Sequence, residues 1–214
     1  MTAFGPNSRA VASLRTIRLG VVCGLFTCCA YPLLIFAQPR KLLATILAAF
    51  IGPALGVACL GLRQLLDLDA RRASSALGAL LNFAAGVLFS AMLLVQLAVD
   101  VTAAGQEISR QVAAIWLGLD VAWDTYIGLG TLCFSLAMRR HPRFGPGFSY
   151  TGLAIATALL ALNLYTFPIP PGAAGLMDVG PLVGLWYLAV TLQMWRSLSW
   201  AGERVPSGPD HEHT

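Results

Sequence analysis

The sequence predicts an all-α protein: a polytopic membrane bundle of six transmembrane helices with both termini in the cytoplasm. Three observations lead to this prediction. The 214 residues are 57% hydrophobic and only 11% charged, whereas a soluble domain devotes about 25% of its residues to charge. Six apolar segments each approach the roughly 20 residues that a bilayer core of about 30 Å requires. Arginine and lysine, finally, are distributed unevenly between the two sides of these segments.

The six predicted spans alternate with short loops and form one membrane domain, residues 17–196. Backbone amides in lipid must bond to one another, so the spans are expected to be helices. A cytoplasmic N-terminal segment, residues 1–16, precedes them, and a polar cytoplasmic tail, residues 197–214, is expected to be disordered. The spans are predicted at 17–37, 42–62, 76–99, 113–138, 148–167 and 179–195.

Positive charge orients these spans. The N-terminal segment, the second and fourth loops and the tail carry eleven of the 14 Arg and Lys residues, while the opposite side carries Arg40, Lys41 and Arg110. Cytoplasmic loops of membrane proteins carry such an excess, so both termini are expected in the cytoplasm. The basic clusters are short and do not form the continuous basic face of a nucleic-acid-binding protein. No nucleic-acid partner is therefore expected.

The residue content excludes several kinds of membrane chemistry. The three histidines, His141, His211 and His213, all fall in a loop or in the tail, so the spans offer no bis-histidine haem and no histidine-based metalloprotease site. Lys41 is the only lysine and lies in a loop, which excludes a retinal Schiff base. The five cysteines lie in apolar runs and are expected to be small buried side chains. We expect no metal and no cofactor.

Aspartates inside or beside the spans are the candidate functional residues. A carboxylate near the bilayer centre is unfavourable by about 2.5–3.5 kcal/mol, so its presence points to a role. Asp120 and Asp124 are four residues apart on span four and project from nearly the same helix face. Asp100 ends span three, four residues after Gln96, and Asp178 lies at the start of span six.

The predicted orientation puts all four carboxylates toward the outer side, where they would surround one vestibule. Together with Gln96 they form a candidate ion or solute site, with Asp120 in the outer third of the bilayer and Asp124 nearer the middle. In the alternative, one or both lie at the interface, where they cap loops or bond Trp and Tyr donors of neighbouring helices. The sequence assigns no catalytic residue.

Other features of the spans indicate close packing between helices. The single polar residues Asn82, Asn163 and Gln193 are expected to form interhelical hydrogen bonds. Glycines at four-residue spacing allow helices to approach closely. These glycine pairs are Gly20/Gly24, Gly52/Gly56 and Gly180/Gly184.

Five short motifs in the C-terminal half are similar to those of a group of bacterial membrane proteins. They are DVAWD at 120–124, IGLG at 127–130, RHPRFG at 140–145, NLYTFP at 163–168 and GPLVGLWY at 180–187. Residues 120–187 thus resemble uncharacterised bacterial multi-span integral membrane proteins. The resemblance implies a helical bundle in the bacterial inner (cell) membrane and brings no activity, substrate or cofactor with it.

Three functions stay open at this point. The favoured one is a small, non-catalytic accessory, sensor or interaction protein. The second is a small transporter or channel subunit that uses an acidic outward-facing site around Asp120 and Asp124. The third is a membrane enzyme acting on a lipid-like substrate. The sequence favours a protein without enzyme activity over an enzyme. The expected partners are the lipid bilayer and either a second copy of the chain or another membrane protein.

Overall fold

The computed structural model describes residues 6–37, 39–103, 109–169, 171–172 and 174–204. Within these ranges all regular structure is helical, which confirms the all-α class. By length and composition, five of the described helices are suited to crossing a membrane. The helices are α1 (Pro6–Ala37), α2 (Lys41–Asp67), α3 (Ala73–Ala103), α4 (Arg110–Met138), α5 (Gly145–Thr166), α6 (Gly180–Arg196) and α7 (Leu198–Arg204).

The predicted spans coincide with α1 to α6, and most of these helices extend beyond the predicted bounds. α1 begins at Pro6, inside the predicted N-terminal segment. α4 has 29 residues and is about 44 Å long, which exceeds a hydrocarbon core of about 30 Å. α6, which corresponds to the predicted sixth span, has 17 residues and is about 25 Å long. It is shorter than the five helices suited to crossing.

The ends of the helices follow local sequence signals. The side chain of Ser109 accepts a hydrogen bond of 3.3 Å from the amide of Val112 and so caps the start of α4. Proline occupies the first turn of both α5 and α6, where its missing N–H has no helical partner to lose. These signals fix where α4, α5 and α6 begin. They therefore also fix the depth in the bundle of the residues near these starts.

Consecutive helices from α1 to α5 pack side by side, and α6 lies against both α1 and α5. α6 thereby closes the bundle between its first and fifth helices. One face of α6 is buried in the main apolar core of the protein. Its buried residues are Val183, Trp186, Tyr187, Val190, Thr191 and Met194.

Glycines stand at the closest helix contacts. A Cβ atom added to Gly20 would lie 2.7 Å from the Cα atom of Gly61, and one added to Gly52 would clash with the carbonyl oxygen of Gly86. Two of the three predicted glycine pairs are confirmed as packing sites, since Gly24 and Gly56 also meet neighbouring side chains. The third pair is different. A Cβ at Gly184 would meet nothing within 4 Å, because this residue lies on the exposed face of α6.

A buried polar layer crosses the middle of the bundle. The Tyr187 hydroxyl on α6 donates to Oδ1 of Asn82 on α3 at 2.6 Å and lies 3.0 Å from Oγ1 of Thr131 on α4. The Asn82 amide in turn donates to the carbonyl of Gly78 at 2.7 Å. The interhelical hydrogen bond predicted for Asn82 is therefore confirmed, and the layer joins three helices.

The predicted disordered tail begins instead with a short helix. α7 spans Leu198–Arg204, and Ala201 within it is fully buried. Arg143, in the turn before α5, donates to Oγ of Ser197 and to the carbonyl of Arg196, both at 3.2 Å. These bonds hold the start of α7 against the α4–α5 turn. Residues 205–214 of the predicted tail, like residues 1–5 of the N-terminal segment, lie outside the described residues.

Candidate functional site

Three of the four candidate aspartates come together at one end of the bundle. Asp120 and Asp124 lie on successive turns of α4, and Asp178 lies two residues before the start of α6. The three carboxyl groups are close enough to interact electrostatically with one another. The phenol of Tyr31 on α1 lies within the same range of all three. We refer to Asp120, Asp124 and Asp178 as the acidic cluster; its role as an ion or solute site stays a prediction.

Asn163 on α5 adjoins the acidic cluster. Its side chain is 3% exposed and lies within hydrogen-bonding range of the Asp124 carboxyl group. The amide nitrogen donates to the carbonyl of Leu159 at 3.0 Å. The side-chain oxygen Oδ1 is buried, and no described group bonds to it. The hydrogen bond that Asn163 donates therefore stays within α5, and the predicted interhelical hydrogen bond stays a prediction.

An aromatic row stands beside the acidic cluster. The rings of Tyr31 on α1 and Phe89 on α3 are 5.2 Å apart, and those of Phe89 and Trp123 on α4 are 4.7 Å apart. Trp123 immediately precedes Asp124 in the chain. The aromatic row therefore joins α1, α3 and α4 at the level of the acidic cluster.

The acidic cluster has no cationic partner among the described residues. The two ion pairs of the described chain, Arg63–Asp67 and Arg72–Asp69, lie at the opposite end of the bundle. Asp178 accepts a hydrogen bond of 2.9 Å from the amide of Gly180 at the start of α6. The alternative of a capping role for Asp120 and Asp124 stays a prediction. No described ion pair therefore involves the acidic cluster.

Asp100 and Gln96 belong to a different place. They line a cavity of about 400 Å³ between α1, α2 and α3, and none of the three cluster aspartates is among its lining residues. The single vestibule expected from the sequence therefore divides into two locations. The other residues lining this cavity are Leu34, Ile35, Pro39, Ala44, Ala48, Leu93 and Leu97.

The polar layer of Tyr187, Asn82 and Thr131 lies beneath the acidic cluster. Thr131 follows Asp124 by seven residues on α4, a rise of about 10 Å. All three side chains of the layer are buried and bonded to one another. The layer therefore joins α3, α4 and α6 about two helical turns from Asp124.

Sequence reasoning missed the environment of His141. Although it lies in the short turn between α4 and α5, its side chain is 1% exposed and packs against the rings of Phe144 and Trp200. Its Nδ1 atom accepts a hydrogen bond of 3.2 Å from the amide of Arg143. The apolar neighbours in RHPRFG hinted at burial, but the packing of Trp200 depends on α7, which the sequence did not indicate.

Burial lowers the pKa of His141 below its ordinary value of 6.5. The guanidinium groups of Arg72 and Arg143 act in the same direction, while the Asp69 carboxylate and the backbone of Leu65 oppose them. The neutral imidazole accepts a hydrogen bond from the Arg143 amide at Nδ1. Protonation of Nδ1 would place its N–H against the N–H of Arg143, so this hydrogen bond would be lost. His141 is thus a neutral structural residue at the end of the bundle opposite the acidic cluster.

Comparison of the chain with protein-family models, curated proteins and solved structures finds no match. The resemblance of residues 120–187 to bacterial multi-span membrane proteins stays a prediction.

Proposed function

We propose that the protein is a small, non-catalytic membrane bundle that binds a cation at an outward-facing acidic site and acts as a sensor or accessory protein. The observation that supports this function is the approach of Asp120, Asp124 and Asp178 to one another beside Tyr31 and Asn163. No described cationic side chain pairs with these carboxylates. A bound cation would supply the missing positive charge.

The position of the site on α4 supports access from one side of the membrane. Asp124 is 14 residues from Met138 at the far end of the helix, a distance of about 21 Å. With Met138 at one boundary of a hydrocarbon core of about 30 Å, Asp124 lies in the opposite third and Asp120 close to the other boundary. A charged site there is stabilised by water and by a bound cation, whereas the same carboxylates at the bilayer centre would be strongly unfavourable.

We further propose a six-span topology with cytoplasmic termini in a bacterial inner membrane. The hydrogen bonds of Tyr187 to α3 and α4 support α6 as the sixth span, because they embed it among the longer helices. The excess of arginine at the α2–α3 and α4–α5 turns supports a cytoplasmic location for those turns. The acidic cluster then faces the outside of the cell. The bacterial origin rests on the resemblance of residues 120–187.

The buried polar layer favours binding over transport. A transporter or channel needs a path for its solute through the protein, whereas Tyr187, Asn82 and Thr131 are buried and joined by hydrogen bonds about two helical turns from Asp124. A transporter or channel subunit is therefore the second candidate. It requires that this layer open.

Thermal unfolding of the protein in lipid nanodiscs tests the proposed function. A ligand that binds only the folded protein raises the free energy of unfolding. This gain grows with the logarithm of the ligand concentration relative to its Kd. We expect NaCl, MgCl₂ or butylammonium chloride to raise the unfolding temperature of the wild type and of Asp100→Asn, but not of Asp124→Asn. No response to any of the three, or an equal response in Asp124→Asn, would contradict the proposal. Flux of the same cations into proteoliposomes, lost in Asp124→Asn, would favour the transporter.

A further inference from the structure

We propose that the cavity between α1, α2 and α3 binds one phospholipid with a primary ammonium group, which places part of an acyl chain inside the cavity and the head group at its mouth. The cavity has a volume of about 400 Å³, within the range of about 300–1,000 Å³ that is usual for ligand sites. None of the three cluster aspartates lines it, so it is a second site, independent of the proposed cation site.

Small side chains leave the cavity open beside a close contact between α2 and α3. The hydroxyl of Ser90 on α3 donates to the carbonyl of Ala48 at 2.8 Å and accepts from the amide of Gly52 at 3.0 Å. These hydrogen bonds hold the two helices together at the inner end of the cavity. Ala44 lies one turn nearer the start of α2, is buried and lines the cavity. Its methyl group is too small to fill the space between the helices there.

The α3 side chains that line the cavity change from apolar to polar toward its mouth. Four of them follow one another at spacings of three and four residues and so form one stripe along the helix: Leu93, Gln96, Leu97 and Asp100. Leu93 is buried, whereas Asp100 is exposed and lies about 10 Å farther along the helix axis. This gradient suits an amphiphile, which has an apolar chain at one end and a polar head group at the other.

Exposed apolar side chains surround the rim of the cavity. Ile35 lines the cavity and is 47% exposed. Phe36, the next residue of α1, is 84% exposed, and Leu42 at the start of α2 is 74% exposed. Large exposed apolar side chains of this kind mark contact with a membrane. A lipid can therefore enter the cavity directly from the bilayer.

Charges of both signs stand at the mouth of the cavity. The Asp100 carboxylate is exposed there. Lys41 follows Arg40 and precedes Ala44 by three residues on α2, so both exposed cations lie about one turn outside the cavity. No described ion pair involves Asp100, Arg40 or Lys41. The phosphate of a phosphatidylethanolamine would interact with the two cations and its ammonium group with Asp100, whereas phosphatidylglycerol would leave Asp100 without a cation.

Native mass spectrometry of the full-length protein, released from detergent micelles, measures the binding of each lipid. We expect palmitoyl-oleoyl phosphatidylethanolamine to bind at one site about tenfold more tightly than phosphatidylglycerol with the same chains, as one charged hydrogen bond predicts. Asp100→Asn should remove this preference by weakening phosphatidylethanolamine binding alone. Ala44→Leu, which fills the cavity, should weaken the binding of both lipids. Ala114→Leu makes the same change at an exposed position of α4 and should alter neither.

Equal affinity of the wild type for the two lipids, or a preference for phosphatidylglycerol, would overturn the proposal, and this comparison requires no variant. Unchanged lipid binding in folded Ala44→Leu would place the lipid outside the cavity and overturn it as well. Should Ala44→Leu fail to fold, Asp100→Asn decides, because its exposed side chain can change without loss of packing. An undiminished preference for phosphatidylethanolamine in Asp100→Asn would contradict the assigned pairing. Asp124→Asn should keep the lipid preference, so the failure of the cation site and of the lipid site can be told apart.

Discussion

The hydroxyl of Tyr187 on α6 donates a hydrogen bond of 2.6 Å to the side-chain oxygen of Asn82 on α3, 105 residues earlier in the chain. Both side chains are buried, and the same hydroxyl lies 3.0 Å from Thr131 on α4. Because no water competes for these groups, the bond fixes the depth and the rotation of the shortest of the six main helices. It thereby sets the position of Asp178, which lies at the start of α6, relative to Asp124 on α4.

Tyr187→Phe should lower the free energy of unfolding by about 1–2 kcal/mol, because it leaves Oδ1 of Asn82 buried without its donor. Reversible unfolding in detergent measures this loss. Tyr165→Phe is the matched control, since Tyr165 is 83% exposed and should tolerate the same change. Equal stability of Tyr187→Phe and Tyr165→Phe would show that the buried layer does not hold α6.

Gly52→Ala should destabilise the bundle, whereas Gly184→Ala should not. An added Cβ on Gly52 would clash with the carbonyl oxygen of Gly86 and force α2 and α3 apart, while one on Gly184 would meet nothing within 4 Å. Alanine also favours a helix over glycine by about 1 kcal/mol, so Gly184→Ala should be neutral or stabilising. Unfolding temperatures of the two variants in nanodiscs provide the comparison, and a similar change in both would refute the assigned contact.

The contribution of His141 to stability should fall as the pH is lowered below about 6.5, the ordinary pKa of histidine. The pKa of His141 is lower in the folded protein than in the unfolded chain, so its contribution is fully present above the unfolded value. That contribution is lost as the pH falls through 6.5 toward the lower folded value. Asn at this position can keep an acceptor for the Arg143 amide without titrating. His141→Asn should therefore reduce any loss of unfolding temperature between about pH 7.5 and about pH 5, a range that spans the transition.

His211 and His213 are present in both proteins and serve as internal controls for this comparison. An identical pH dependence in the wild type and in His141→Asn would mean that His141 does not titrate with folding.

The six-span topology predicts that Met177 and Glu203 lie on opposite sides of the membrane. Both residues are exposed, and α6 lies between them. In a variant whose five native cysteines are replaced by alanine, Met177→Cys should react with an impermeant maleimide added to intact cells. Glu203→Cys should react only after permeabilisation. Labelling of both from the same side would exclude α6 as a span.

The long apolar runs predicted the helices well. A segment of about 20 apolar residues in lipid must satisfy its own backbone hydrogen bonds and has few alternatives to a membrane-spanning helix. Contacts between partners on one helix also follow from local spacing. Arg63 and Asp67, four residues apart on α2, form an ion pair at 3.4 Å. What depended on one element was therefore predictable.

Features that depend on the rotation of one helix against another could not be predicted from the sequence. Asp100 and Asp124 share a side of the membrane in the predicted topology, but α3 turns Asp100 toward α1 and α2. The contact of Asn163 with Asp124 requires the pairing of α5 with α4, and the exposure of Gly184 requires the orientation of α6. Sequence periodicity in a uniformly apolar helix gives little information on which face meets which neighbour, since lipid and protein interior are similarly apolar.

Titration calorimetry of the wild type, Asp124→Asn and Asp100→Asn against butylammonium, Mg²⁺ and Na⁺ tests the central claim most directly. The proposed function predicts a single saturable site for at least one of these cations in the wild type and in Asp100→Asn. In Asp124→Asn the affinity should fall by at least about tenfold, which corresponds to 1.4 kcal/mol of lost charge interaction. Absence of saturable binding in the wild type, or unchanged affinity in Asp124→Asn, would contradict a cation site at the acidic cluster.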